Sequence, residues 1–297
     1  MKHSTIFAAI ALIFAGTQVQ AEDSVINLLK LEAGDIQQIE IPDASAPKIA
    51  EGKKTLNEDM SGLSGEELFQ YLHEYTKPQK QIHNYTDAKS YMYSTADNQG
   101  CGSEEHGILT FYSQVCAPGS SKNGYEYHEN GDENGDGVID KYINAEHIWP
   151  QSFFGKQLPM VSDLHHLQST FGTPNNRRSN FRFGYVSTKE AKYSTISGTR
   201  GTSGKYEPCD AVKGNVARSM LYFVTRYYDK NIRQKMDYKS FWTDNVEMFL
   251  EWNRQDPPDA REIERNSRIE QLQGNRNPYI DDYTLADKVG AEVFASH

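Results

Sequence analysis

The chain has 297 residues, 31 of them basic and 41 acidic, with 37% hydrophobic and 11% aromatic side chains. This is globular composition, which excludes the collagen-like, intrinsically disordered and cysteine-scaffold classes. The acidic total argues against a protein that coats nucleic acid by bulk charge, and no apolar run reaches the roughly 18 residues that a membrane-spanning helix requires.

At the N-terminus, Lys2 and His3 precede an apolar stretch from Ile6 to Gly16, followed by polar residues and Val19 and Ala21 at positions −3 and −1. That order predicts a secretory signal peptide over residues 1–21, hence a secreted protein, extracellular or periplasmic. Residues 22–58, with Pro42, Pro47 and the polar run Glu51-Gly52-Lys53-Lys54, read as an extension or linker, and residues 59–297 as the main domain. Ser64-Gly65-Glu66-Glu67 has the form of a capping box, and Leu68, Leu72 and Tyr75 follow at helical spacing up to Pro78. Ile108 to Val115 is β-branched and aromatic and predicts a strand. Cys101, Cys116 and Cys209 are the three cysteines; the short loop between the first two favours their pairing, the rival pairings using Cys209.

Residues 117–140 form a Gly/Asn/Asp-rich loop. Within it, Asp132, Asn134 and Asp136 followed by Gly137 copy the start of an EF-hand loop, but Ile143 stands where the bidentate Glu belongs. A partial site completed by Asp140 or by a residue elsewhere, holding a structural Ca²⁺, is expected; a solvated acidic loop is the alternative. Further on, Val216, Met220, Phe223 or Val224, and Tyr227 predict an amphipathic helix. A second helix ends at Phe249-Leu250 to Trp252, before Asp256-Pro257-Pro258, and a third runs from Arg261 to Leu272, stopped by Gly274.

The densest chemistry lies in Asn144-Ala145-Glu146-His147-Ile148-Trp149-Pro150-Gln151-Ser152. On a strand, neighbouring side chains point to opposite faces, so Glu146 and His147 can serve a metal and a substrate from different directions. The pattern is not the helical His-Glu-x-x-His of zinc proteases. Downstream stand Asp163-Leu164-His165-His166-Leu167 and Gly172-Thr173-Pro174-Asn175-Asn176-Arg177-Arg178-Ser179-Asn180. A Glu carboxylate and an Asn carbonyl are hard oxygen ligands that suit a Mg²⁺ keeping several waters, and adjacent guanidinium groups suit a phosphodiester. His165 and His166 are assigned a structural role. Between residues 175 and 205 seven basic side chains face one acidic one, with Phe181, Phe183, Tyr185 and Tyr193 interleaved. This predicts a surface that tracks a nucleic-acid backbone, with Arg177, Arg182, Lys189 and Lys192 as contacts.

The Glu-His-Ile-Trp-Pro-Gln-Ser, Asp-Leu-His-His-Leu and Asn-x-x-Arg-Ser-Asn runs resemble the bacterial endonuclease I family, exported nucleases with a His-Me, or ββα-metal, finger. Glu207-Pro208, Lys213 to Arg218 and Gln273 to Asp281 resemble later blocks of that family, in order, over roughly residues 60–285. The resemblance implies an α+β, helix-rich fold whose finger is a strand near Ile143 to His147 and a helix near Asn175. It also implies that His147 is the general base, and that Glu146 and Asn175 hold one Mg²⁺, for which Mn²⁺ can substitute. The substrate would be DNA, with RNA not distinguished, cut with little sequence preference to leave 5′-phosphate ends. Some members carry an arginine between the His strand and the Asn helix. Here residues 148–174 contain no Arg and Lys156 is the only cation, so either Arg177 or, preferentially, Arg178 takes the phosphate contact, or transition-state stabilisation is weaker. Asn176 is the alternative ligand. No membrane or protein partner is implied. The rival readings are a Ca²⁺-dependent cell-surface binding module and a phosphodiesterase of small nucleotides.

Overall fold

The computed structural model describes residues 60–102, 105–118 and 143–297. The expected signal peptide, the expected 22–58 extension and the expected Ca²⁺ loop with Asp132, Asn134, Asp136 and Asp140 lie outside the described residues. The chain divides at Met60, and residues 60–297 form one compact unit.

Helix α1 (Gly65–Tyr75) starts where expected, but the Ser64 hydroxyl makes no bond to the helix, so the capping box is not formed. The reason is local: Gly65 sits at φ +57, outside the helical region that the box requires of its second residue. Helix α2 (Tyr85–Tyr91) is capped by the Asn84 side chain, which accepts from the Asp87 amide, and runs into a π-helical turn, Met92–Ala96.

The Ile108 to Val115 run does not continue as one strand. It folds into a hairpin, β1 (Gly107–Leu109) paired antiparallel with β2 (Cys116–Pro118). Gln114 reverses the chain at φ +54, with its amide on the Thr110 carbonyl. A disulfide between Cys101 and Cys116, with Cα atoms 5.5 Å apart, anchors the second strand; Cys209 is a free, buried thiol. The expected pairing is the one formed.

Next come β3 (Ile143–His147) and β4 (Leu167–Phe171), antiparallel with Glu146 opposite Gln168 and His147 opposite Leu167, and then α3 (Gly172–Arg178) directly after β4. This is the expected ββα unit. The alternation of β3 turns Ile143 and Ala145 onto a core shared with Met92, Tyr93, Ala96, Leu167, Phe171 and Ile269. A four-stranded sheet follows: β5 (Arg182–Phe183), β6 (Tyr193–Ser194), β7 (Arg200–Gly201) and β8 (Lys205–Glu207), in the spatial order β5-β8-β7-β6.

The predicted helix through Val216 to Tyr227 forms as α4 (Lys213–Tyr227), beginning three residues earlier, and every residue of it except Asn215 is buried, so it runs through the centre of the unit. Its buried Arg218 is neutralised by Glu262, and a Cβ at Gly214 would lie 1.9 Å from the Asp256 carbonyl oxygen, so only glycine fits there. Around it pack α1 and α6 (Val246–Gln255), with the short α5 (Tyr238–Phe241) preceding α6. Helix α7 (Ala260–Gln273) is capped by Asp259 and ends at Gly274, φ +75. The chain closes with α8 (Pro278–Asp281), α9 (Leu285–Val289) and α10 (Ala291–Ser296). No helix among the described residues is long and apolar enough to cross a membrane.

Candidate active site

A cleft of about 460 Å³ opens where β3, α3 and the Pro150 to Lys156 turn meet, and Glu146, His147, Asn175, Arg178 and Lys156 all line it. The sequence-predicted Glu-His pair and the Asn are therefore brought together. Among the described residues strand β3 pairs with β4 on one edge only, which leaves carbonyls on the other edge in need of donors. Helix α3 supplies them with two side chains one turn apart. The Asn175 side-chain amide donates to the Ala145 carbonyl at 3.3 Å, and Arg178 donates to the His147 and Ile148 carbonyls at 3.0 and 2.5 Å.

The first of these bonds orients the Asn175 amide. Its NH₂ end must face the Ala145 carbonyl, so its oxygen is the atom left over for a ligand. Asn176 is exposed beside it and makes no such bond. Glu146 is buried, 3% exposed, and one carboxylate oxygen is held by the Tyr112 hydroxyl at 2.7 Å and by Arg178 at 3.1 Å. The second oxygen lies outside those two contacts. Burial raises its pKa, and Arg178 and the Tyr112 hydrogen bond work against that rise.

On the opposite face of β3, the His147 Nε2 donates to the Val161 carbonyl at 3.1 Å. That bond selects the tautomer with its proton on Nε2 and the lone pair on Nδ1. Burial, reinforced by the neighbouring His166, lowers its pKa to about 3, so the ring is neutral throughout the neutral pH range. The ring packs among Tyr85, Phe154 and His166, with centroids 5.3, 6.1 and 5.4 Å away. His166 and His165 are structural, as expected: their Nε2 atoms meet the Met160 and Asn275 carbonyls at 2.6 and 3.2 Å. Behind them Asp163 accepts from Tyr222, Tyr227, Gln273 and the His165 amide, a buried carboxylate satisfied without any cation.

Among the described residues no three His, Cys, Asp or Glu side chains cluster as a metal site. The donor set at the cleft, one carboxylate oxygen and one amide oxygen, fits a hard divalent cation that keeps most of its water, and not a closed zinc site.

Arg178, expected at the phosphate, lines the cleft. It is fully buried, its guanidinium lies 4.6 Å from the Phe183 ring, and both terminal nitrogens are spent on β3 and Glu146. It holds the strand rather than reaching outward. Arg177 is exposed and lies over Tyr193 at 5.6 Å; Arg182 is half-buried on β5, and Lys189 and Lys192 are exposed in the connection between β5 and β6. Phe183 does not belong to a stacking surface: it is 1% exposed and packs on Phe249 and Trp252. The sequence reading missed Tyr112 as the partner of Glu146. Nothing in the apolar run around Tyr112 marks its hydroxyl as facing a carboxylate 34 residues further along the chain.

A two-stranded antiparallel hairpin followed by a short helix, with Glu and His on one strand and Asn on the helix, defines the class of ββα-metal fingers. The endonuclease I family model matches residues 64–283, and the chain belongs to that family. It is 36% identical over 156 residues to an extracellular ribonuclease of Bacillus subtilis (strain 168), covering 49% of this chain and 53% of that protein. It is 28% identical over 246 residues to an extracellular ribonuclease of Bacillus amyloliquefaciens, covering 80% and 78%. An extracellular deoxyribonuclease of Aeromonas hydrophila is 30% identical over 159 residues, covering 47% and 65%. The match to the first of these thus spans about half of that relative's length.

Proposed function

We propose that this chain is a secreted, Mg²⁺-dependent endonuclease that hydrolyses phosphodiester bonds of DNA and RNA with little sequence preference. One observation carries the reading: a neutral His147 with its lone pair on Nδ1 and the free oxygens of Glu146 and Asn175 line the same open cleft. The names of the relatives, both ribonucleases and deoxyribonucleases, support a polymeric phosphodiester as substrate without choosing the sugar. Their extracellular setting agrees with the signal peptide read from residues 1–21.

In this reading Nδ1 of His147 takes the proton of the attacking water. A nearby phosphate anion raises the pKa of the buried imidazole from its depressed value, so the base gains strength when substrate is bound. Glu146 and Asn175 would hold Mg²⁺, which supplies Lewis-acid neutralisation of charge on the phosphate and the leaving 3′ oxygen. Tyr112 and Arg178 fix the carboxylate, and the Val161 carbonyl fixes the imidazole. Plasmid DNA and RNA digestion by the mature protein tests this. Cleavage should require Mg²⁺, stop with EDTA, and fall at least about 10³-fold in His147→Ala while binding of uncleaved DNA persists. Intact polymer under all conditions, or His147→Ala within a few-fold of wild type, refutes it.

A further inference from the structure

Tyr112 reaches Glu146 from a turn and not from a strand. It lies in the reversal between β1 and β2, just before Gln114 takes φ +54. Its phenol nevertheless meets one particular carboxylate oxygen of Glu146, at 2.7 Å. A turn has no ladder to fix its backbone, so the hold on Tyr112 comes from elsewhere in the chain.

It comes from the turn between β6 and β7. Three hydroxyls there converge on the Tyr112 carbonyl oxygen: Thr199 at 2.6 Å, Ser197 at 2.8 Å and Thr195 at 3.4 Å. A carbonyl oxygen has two lone pairs, and the two shorter contacts fill them. The remaining protons then have defined places. The Thr195 hydroxyl, 2.8 Å from that of Ser197, donates to it and accepts from the Thr199 amide at 3.2 Å. The Thr199 hydroxyl accepts from the Cys209 amide at 2.9 Å. Thr199 and Tyr112 are both fully buried. The Tyr112 ring packs edge-on against Tyr206, with centroids 5.0 Å apart, and the Tyr206 hydroxyl donates to the Pro174 carbonyl of α3 at 3.3 Å. One donor satisfies a buried carbonyl. Here the surplus falls on the residue whose phenol holds Glu146, and backbone and ring are fixed together.

Resting on the nuclease reading above, we infer that Thr199, with Ser197, is a positioning residue for the metal ligand. The pair fixes the Tyr112 carbonyl so that the phenol holds one Glu146 oxygen and leaves the other to the cation. Neither hydroxyl touches substrate. Ser197 and Thr199 follow Tyr112 by 85 and 87 residues, so the contact exists only in the folded chain.

The test uses Thr199→Val, which keeps the shape and removes the hydroxyl, and Thr199→Ser, which returns it. With tyrosines ¹³C-labelled at Cζ, the Tyr112 resonance, identified by its absence from Tyr112→Phe, reports the phenol hydrogen bond in the metal-free protein. It should shift in Thr199→Val and return in Thr199→Ser; an unmoved resonance overturns the proposal. The second arm is Mn²⁺ titration calorimetry. Thr199→Val should weaken affinity about 10-fold and Thr199→Ser less than about threefold. In the Tyr112→Phe background Thr199→Val should weaken it no further, because the hydroxyl acts only through the phenol. Additive losses mean a general structural role and overturn the proposal. Should Thr199→Val fail to fold, Ser197→Ala, at the half-buried member of the pair, enters both measurements with the same expected outcomes. Plasmid and RNA digestion separates the two readings. A wild type that binds Mn²⁺ and shows the resonance shift on substitution, yet cleaves neither polymer, leaves the positioning role standing and removes the nuclease reading. A cleaving wild type whose Tyr112 resonance ignores Thr199 does the reverse.

Discussion

The Glu146 carboxylate sits in a place where a charge must be partnered or neutralised, and its two partners arrive from opposite directions in the chain. Tyr112 precedes it by 34 residues, and Arg178 follows on α3. Both hold the same oxygen, which leaves the other for the cation proposed above. Removing one hydroxyl is therefore the cleanest probe of that arrangement. Tyr112→Phe should weaken Mg²⁺ or Mn²⁺ affinity by about 10–100-fold in titration calorimetry while leaving the fold intact; unchanged affinity would show that Tyr112 does not position the ligand. At this scale the sequence was legible where chemistry is local. Glu146 and His147 are adjacent, and Asn175 lies in a run whose residue types advertise oxygen ligands. Tyr112 was hidden because a hydroxyl within an apolar run looks like packing, and the Val161 carbonyl because a backbone acceptor has no side-chain signature.

Helix α3 is short, yet it separates two arginines by function through one step in its register. Arg178 faces inward, on the same side as Asn175 and β3; Arg177 faces out, over Tyr193. Adjacent arginines in a sequence do not reveal which is which, and this is why the phosphate contact was expected at Arg178. The two should separate cleanly on mutation. Arg178→Met leaves Glu146 buried without its cation and two strand carbonyls without donors, and should cost about 3–5 kcal/mol in chemical denaturation. Arg177→Gln should change stability by less than about 0.5 kcal/mol. If Arg177 contacts the nucleic-acid backbone, its loss should reduce the salt dependence of DNA binding by about one unit of log-log slope. Equal stability losses would refute the division. Elements with long periodic patterns, α4 and α7, were read from the sequence nearly to their ends. The hairpin of β1 and β2 was not, because one left-handed glutamine and a disulfide decide it, and neither is a matter of hydrophobic pattern.

Three histidines beside the cleft, His147, His165 and His166, are buried and neutral. Burial depresses His165 and His166 to about 4 and His147 to about 3. The unfolded chain binds these protons near pH 6.5 and the folded one only well below, so the unfolded state gains protons first on acidification. Stability should thus be full above pH 6.5 and decline down to about pH 4, by up to about 3 kcal/mol for each of His165 and His166. A denaturation midpoint flat from pH 6.5 to 4.5 would refute the neutral, buried state. Asp163, held below its ordinary value by neighbouring histidines and hydrogen bonds that outweigh its burial, adds its own loss only at still lower pH. The Cys101–Cys116 bridge closes 15 residues of chain, so replacing both cysteines with Ala should cost about 3 kcal/mol. Thiol titration of the denatured wild type should find Cys209 alone.

The side chains that α3 lays along β3 have an effect beyond the cleft. An open strand edge is a template on which a second chain can add, and proteins blunt such edges with charge or cover them. Here Asn175 and Arg178 occupy the hydrogen-bonding positions that an incoming strand would need. The residues that shape the site therefore also keep the hairpin from recruiting a second molecule, and a chain with Arg178 replaced should lose solubility on refolding at high concentration before it loses its secondary structure.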